Sequence, residues 1–158
     1  MTKPTLYVMV GVPGSGKSYF AKFFPCFKDK IRVSRDEIRF SMLRQGDHYF
    51  KYEKLVFQLF ISNINKFLKQ GHDVIADATH ISKASRAKLL SNIDRIENIN
   101  VVAIVIDTPL EKCLMNNSQR EELAKIKNST ITNIFLKREV PSLDEGFNDI
   151  WSIKAKNL

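Results

Sequence analysis

Short aliphatic runs alternate with longer amphipathic ones along this chain. Leu6–Val12, Ile31–Ser34, Val74–Ala78 and Val101–Asp107 are compact, mostly apolar stretches rich in Val and Ile, which reads as strands buried on both faces. Between them the apolar period lengthens. Glu53–Gln70 carries Leu55, Leu59, Ile61 and Ile64 at helical spacing, followed by Phe67 and Leu68. This predicts a helix with those side chains turned inward and Gly71 placed to stop it. Ser82 can cap a helix running to about Ile96, with Leu89, Leu90 and Ile93 inward. Pro109 opens another helix, and Ile150–Ala155 reads as a last strand. Such alternation predicts a three-layer α/β fold with a mainly parallel sheet flanked by helices. In folds of this kind ligands sit beyond the carboxyl ends of the strands, so the residues following each strand are the ones to inspect.

Composition narrows the class. The chain has 158 residues, 44% hydrophobic and 27% charged, which is an ordinary globular balance and excludes collagenous or wholly disordered readings. The length predicts one domain spanning 1–158. Cys26 and Cys113 stand far apart, which excludes a disulfide framework or a cysteine-rich zinc site, and both are expected to be small core residues. No run approaches the length needed to cross a bilayer, so no membrane partner is expected. No basic leader or small-residue cleavage site is present, so a cytoplasmic address is expected. The net charge is +8, with eight Lys and Arg against three Asp and Glu between Lys17 and Arg44. Such a balance favours a polyanionic partner, nucleic acid first, against the plainer reading of a solvated basic surface.

After the first strand comes Gly11-Val12-Pro13-Gly14-Ser15-Gly16-Lys17-Ser18, then a helical-looking Tyr19–Phe23. The text is G-x-x-x-x-G-K-[ST] in the strand–loop–helix setting that a phosphate-binding loop needs. Phosphate oxygens require several backbone N–H groups aimed inward, and Gly14 and Gly16 allow the dihedrals of so tight a loop. The helix beginning near Lys17 adds its positive end. Lys17 would reach the β- and γ-phosphates, and the Ser18 hydroxyl would ligate Mg²⁺, a cation that prefers oxygen.

Ser34-Arg35-Asp36-Glu37-Ile38-Arg39 follows the second strand. In the structural reading, Ser34 and Glu37 form a capping box and Asp36 pairs with Arg39 three residues on. In the functional reading, Asp36 accepts a substrate hydroxyl proton and Arg39 fixes an anionic substrate from the same helix face. The third strand ends in Asp77-Ala78-Thr79-His80. Asp77 could hold the water shell of a magnesium ion, Thr79 could contact substrate or cap a helix, and His80 reads as a surface-loop histidine.

In order along the chain, G-V-P-G-S-G-K-S, S-R-D-E-I-R, D-A-T-H, N-N-S-Q-R and V-P-S-L-D-E-G-F span Gly11 to Phe147. Together they resemble the polynucleotide 5′-hydroxyl kinase family of phosphate-loop kinases. The resemblance implies a P-loop NTPase fold with a helical lid at about 111–140, and ATP with Mg²⁺ as cofactors. It implies Gly11, Pro13, Gly14, Ser15, Gly16, Lys17 and Ser18 as nucleotide-binding residues. Asp36 matches the general base, Arg39 the group that holds the acceptor's phosphate, Thr79 the acceptor-side threonine, and Arg120 the lid arginine that stabilises charge on the transferring phosphoryl group. The polar stretch Asn116–Glu122, with Lys125 and Lys127, suits a weakly buried lid. Relatives usually carry arginine where this chain has Asn116, so one phosphate contact is expected to be missing. The phosphatase module of some relatives has no counterpart in these residues. Pro141, Glu145, Gly146 and Phe147 read as structural. The expected activity is transfer of the γ-phosphate to a nucleic acid 5′-hydroxyl, with Phe40, Tyr49, Phe50 and Tyr52 available to stack on bases. A kinase of a small-molecule or sugar-nucleotide acceptor and a non-catalytic ATP-binding module are the alternatives.

Overall fold

The structure, a computed structural model, describes residues 2–154. Five strands form one wholly parallel sheet in the order β2-β3-β1-β4-β5. They are β1 (Thr5–Val10), β2 (Ile31–Ser34), β3 (Val74–Asp77), β4 (Asn100–Asp107) and β5 (Asp149–Lys154). The helices are α1 (Lys17–Phe23), α2 (Arg35–Met42), α3 (Glu53–Lys69), α4 (Lys83–Ser91), α5 (Leu110–Ser118) and α6 (Asn128–Leu136). Ala155, which the sequence assigns to the last strand, lies outside the described residues.

The central strand explains the three layers. Side chains alternate across β1, so Leu6, Val8 and Val10 join Phe60, Ile64 and Leu68 of α3 and Leu89 and Leu90 of α4 in one core. Tyr7 and Met9 point the other way, onto Phe20 and Ala21 of α1, Phe27, Ile104 and Trp151. A third, smaller core holds Val12, Cys113 and Ile131 together at the carboxyl end of the sheet.

Several elements differ from the sequence reading. The buried row of α3 is Val56, Phe60, Ile64 and Leu68, whereas Leu55 and Leu59 are exposed. The first strand stops at Val10, because the Gly11 N–H turns to the Thr79 carbonyl. The Ser82 helix ends at Ser91, well short of Ile96, and Arg95 then takes a left-handed φ of 50°. Its start is as expected, with a reciprocal Ser82–Ser85 capping box. Ser34 caps α2 through the Glu37 N–H, but the Glu37 carboxylate goes to Arg32 and leaves the box half-made. Cys26 is exposed and only Cys113 is a core residue.

The segment expected to be a weakly buried lid is two helices with a firm anchor. Ile131 of α6 is fully buried against Val12 and Cys113, and the Asn117 amide both donates to and accepts from the Ile126 backbone, at 2.6 and 3.1 Å. That pair closes the loop between α5 and α6, which carries Arg120.

Candidate active site

The phosphate loop is shaped from behind. Gly14 and Gly16 sit at φ 81° and 92°, conformations that a side chain disfavours. The Ser15 carbonyl accepts from Thr108 Oγ1 at 2.6 Å and the Gly14 carbonyl from Asn116 Nδ2 at 2.8 Å. These bonds hold the two carbonyls outward, while the Ser15 N–H is taken by the Val12 carbonyl at 3.0 Å, so it is the loop's remaining amides that are left for a ligand. Asn116 therefore has a job of its own as a latch between α5 and the loop. Pro13 and Lys17 line a cavity of about 240 Å³, and Lys17, though buried, makes no ion pair among the described residues. Ser15 Oγ is buried without a hydrogen-bond partner. A helix start with no side-chain cap, an unpaired buried lysine and an unpaired hydroxyl are what an anion would satisfy.

The opposite wall of the same cavity comes from α2 and the residues leading into α3: Arg35, Asp36, Arg39, Tyr49, Phe50 and Glu53. Thr79 and Ala78 close it from the end of β3, and Ile126, Thr130 and Ile134 from the lid. Asp36 Oδ1 accepts from Arg39 Nη1 and from the Tyr49 hydroxyl, the latter at 2.8 Å. Its other oxygen, Oδ2, lies 3.4 Å from Arg120 Nη2. Burial works to raise the Asp36 pKa, but Lys17, the Tyr49 hydroxyl, Arg39 and Arg120 outweigh it and hold the carboxyl below its ordinary value. Tyr49 is pushed up, by burial first and then by the Asp36 charge, so it stays a donor. Lys17, Asp36, Arg39, Thr79 and the phosphate loop thus meet in one crevice beyond the strands' carboxyl ends, and Arg120 reaches it through Asp36.

Two expectations fare differently. Asp77 does not face the crevice: its carboxylate is 2% exposed and carries Arg32, with Nε and Nη2 both at 2.8 Å from Oδ2. Arg32 is likewise engaged, bound to Asp77 and Glu37. His80 is no surface residue. It is buried with a φ of 45°, its Nδ1 2.9 Å from the Met9 carbonyl, and burial lowers its pKa to about 4. It is a neutral structural imidazole. Of the four aromatics, Phe50 is half exposed and lines the cavity, while Tyr49 is spent on Asp36 and Arg39. Sequence reasoning missed Thr108 and Glu53 and named Tyr49 only as a stacking aromatic, since none lies in a motif.

A parallel sheet with a phosphate loop after β1 and a carboxylate facing that loop's lysine is the architecture of a P-loop kinase, and the fold implies binding of an ATP-type nucleotide. The chain belongs to the AAA domain family, whose model matches residues 6–136. It is 28% identical over 141 residues to the L-seryl-tRNA(Sec) kinase of Methanococcus maripaludis, covering 86% of this chain and 53% of that protein. It is 23% identical over 145 residues to a protein of Autographa californica nuclear polyhedrosis virus named as a bifunctional polynucleotide kinase/RNA ligase, covering 84% of this chain and 20% of that one. Among solved structures, a chain of the Pnkp1/Rnl/Hen1 RNA repair complex superposes with a TM-score of 0.72 at 28% identity, over 86% of this chain and 44% of that one. The chain thus spans about half the length of these relatives or less. No helix among the described residues is long and apolar enough to cross a membrane.

Gly14 gives a direct test of the loop. A Cβ there would lie 2.3 Å from the Cys113 carbonyl oxygen, and the left-handed backbone costs a further 1–2 kcal/mol or about that for an L-residue. Backbone cannot yield as a flexible side chain can, so Gly14→Ala should lower nucleotide affinity by about tenfold or more, read by titration with a fluorescent ATP analogue.

Proposed function

We propose that this domain transfers the γ-phosphate of ATP to the 5′-hydroxyl of a nucleic acid, with Asp36 as general base. The observation that carries the reading is the shared crevice: Asp36 and Lys17 line one cavity. The Asp36 carboxylate is fixed on one oxygen by Tyr49 and Arg39 and presents the other toward the lid.

In this reading the loop amides, with Pro13 and the glycines shaping them, hold the nucleotide's phosphates, and Lys17 spans the β- and γ-phosphates. Magnesium, when bound, would neutralise phosphate charge. Ser18 offers it a hydroxyl, and no group of three His, Cys, Asp or Glu side chains placed to hold a metal exists among the described residues. Asp77, whose Oδ2 carries Arg32, does not line the cavity. Arg120 leaves Asp36 Oδ2 for the transferring phosphoryl group as the acceptor's hydroxyl arrives, and Asp36 orients that hydroxyl and takes its proton. Arg39 holds Asp36 in place, and Thr79 lines the acceptor side. Phe50, which lines the cavity together with the aliphatic lid residues Ile126 and Ile134, offers a surface on which a terminal base could stack.

Nucleic acid is favoured as acceptor by the excess of basic residues and by the polynucleotide kinase and RNA repair proteins among the relatives. The deciding assay is transfer of labelled γ-phosphate to a 5′-OH oligonucleotide at two salt concentrations. Affinity for a single strand should fall with a log–log slope of about −0.7 per phosphate neutralised. A flat salt response, or no transfer, would remove the polynucleotide from the reading. A second reading, a hydroxyl carried elsewhere, draws on the similarity to a seryl-tRNA kinase. Transfer to serine-charged tRNA in place of the oligonucleotide would establish it.

A further inference from the structure

We propose that Tyr49 is a positioning residue of the reaction: its hydroxyl fixes the plane of the Asp36 carboxylate and so selects Oδ2 as the oxygen that meets the acceptor's hydroxyl. The inference rests on the reading of Asp36 as general base and names a residue, outside every motif, on which that base depends.

The terminal torsion of an aspartate is broad and roughly two-fold, so its two oxygens exchange unless outside donors hold them. Arg39 supplies one donor, Nη1 to Oδ1, from three residues along the same helix. A single donor fixes one oxygen and leaves the carboxylate plane free to turn about that bond. Tyr49 supplies the second. It belongs to the connection between α2 and α3, residues 43–52, and its hydroxyl lies 2.8 Å from the same Oδ1. Two donors from separate segments hold the carboxylate in one orientation. Oδ1 is then occupied, and Oδ2 is the oxygen left toward Arg120.

The direction of the Tyr49 hydrogen is set as well. Arg39 Nη1 also lies 2.9 Å from the Tyr49 oxygen, and a guanidinium has donors only. The phenol oxygen therefore accepts from Arg39, and its one hydrogen goes to Asp36. The ring is held independently of the hydroxyl. The Arg39 guanidinium lies over it at 4.4 Å, and Phe40 and Phe50 meet it edge-on with centroids 6.1 and 4.7 Å away. Removing the hydroxyl alone should thus leave the packing in place. Burial works against the Asp36 charge, whereas Lys17 of α1, the Tyr49 hydroxyl, Arg39 of α2 and Arg120 of the loop between α5 and α6 favour it. Glu53 of α3, the other acid lining the cavity, is held by Arg39 and Arg35.

The test is a double-mutant cycle of wild type, Tyr49→Phe, Asp36→Ala and the two combined, with kcat and KM read separately for ATP and a 5′-OH oligonucleotide. Tyr49→Phe should lower kcat by about tenfold, the worth of one hydrogen bond to a charged group, and leave both KM values near wild type. In the Asp36→Ala background the same change should cost nothing further, so the coupling should equal the whole effect of Tyr49→Phe. The acid limb of kcat/KM in Tyr49→Phe should move toward neutral pH, since a donor to the ionised carboxylate is lost. Wild-type kcat in Tyr49→Phe, an equal loss with and without Asp36, or a raised acceptor KM with kcat kept overturns the inference and leaves the polynucleotide reading in place. Should the wild type use serine-charged tRNA and not the oligonucleotide, the polynucleotide reading falls, and the same cycle with that acceptor decides the inference by the same outcomes. No transfer to either acceptor overturns both.

Discussion

Replacing Asp36 with Asn should cut phosphoryl transfer by about 10²–10⁴ while ATP still binds. The substitution keeps the shape and one acceptor oxygen for Tyr49 and Arg39 but removes the charge that Oδ2 presents to the crevice. The transition state of phosphoryl transfer is loose, and the attacking hydroxyl keeps its proton late. The carboxylate therefore acts mostly by orienting that hydroxyl, and a depressed pKa does not disqualify it. The pH profile follows. Burial alone would raise the Asp36 pKa, but Lys17, Tyr49, Arg39 and Arg120 pull it down. The ionised form, and the stability it contributes, are present above the unfolded value of about 3.9 and lost as pH falls through the lower folded value. The acid limb of kcat/KM should accordingly lie below the ordinary aspartate range. Wild-type turnover in Asp36→Asn would strike this residue from the mechanism. Equal losses of ATP affinity and transfer would move it to the nucleotide side.

The parts of this protein that chemistry constrains locally were readable in its sequence. Strands buried on both faces must be apolar without a break, so β3 and β4 announce themselves. A loop that wraps phosphate must have glycine where φ is positive and a lysine beside it, so Gly14, Gly16 and Lys17 do too. The facing pair Asp36 and Arg39 follows from helical spacing. The inward row of α3 was ambiguous because Leu55, Val56, Phe57, Leu59, Phe60 and Ile61 supply an apolar residue in several registers. Only the tertiary fit selects Val56 and Phe60, the latter sharing one core with Val8 and Val10. The roles of Tyr49 and Glu53 were invisible because they reach Asp36 and Arg39 from 13 and 14 positions away, through a turn with no motif of its own. His80 looked like a loop residue, and its burial depends on Phe60 from α3 and Arg86 from α4. The lid's polarity hid its anchor, in which Ile131 is the buried residue of α6 and Ile134 and Phe135 pack beside it.

Arg86→Ala should be the most destabilising single change outside the crevice, at about 3–5 kcal/mol. Arg86 is fully buried, and its guanidinium ties three segments together. Nε and Nη2 donate to Glu145 at 2.8 and 3.3 Å, and Nη1 donates to the His80 carbonyl at 2.9 Å. Glu145 in turn accepts from the Ser142 N–H at 2.8 Å, so the pair fixes the turn that leads into β5. The His80 carbonyl belongs to a residue at positive φ directly after Thr79, so the same guanidinium holds the end of the acceptor wall. For a domain of this size the loss corresponds to a fall in Tm of about 6–20 °C by differential scanning calorimetry. The double variant Arg86→Met/Glu145→Gln should lose less than the sum of the single changes, because it leaves no unpaired buried charge. The pH dependence supplies the sign. Burial pushes the Glu145 carboxyl up, but Arg86 and the Ser142 N–H outweigh it and hold it below its usual range. The pair's contribution is thus complete at neutral pH and is lost as pH falls through that depressed value. The gap in Tm between wild type and Arg86→Ala should narrow in acid. A constant gap would mean that Arg86 stabilises by packing alone, and a Tm within about 2 °C of wild type would mean that the pair does not hold these segments.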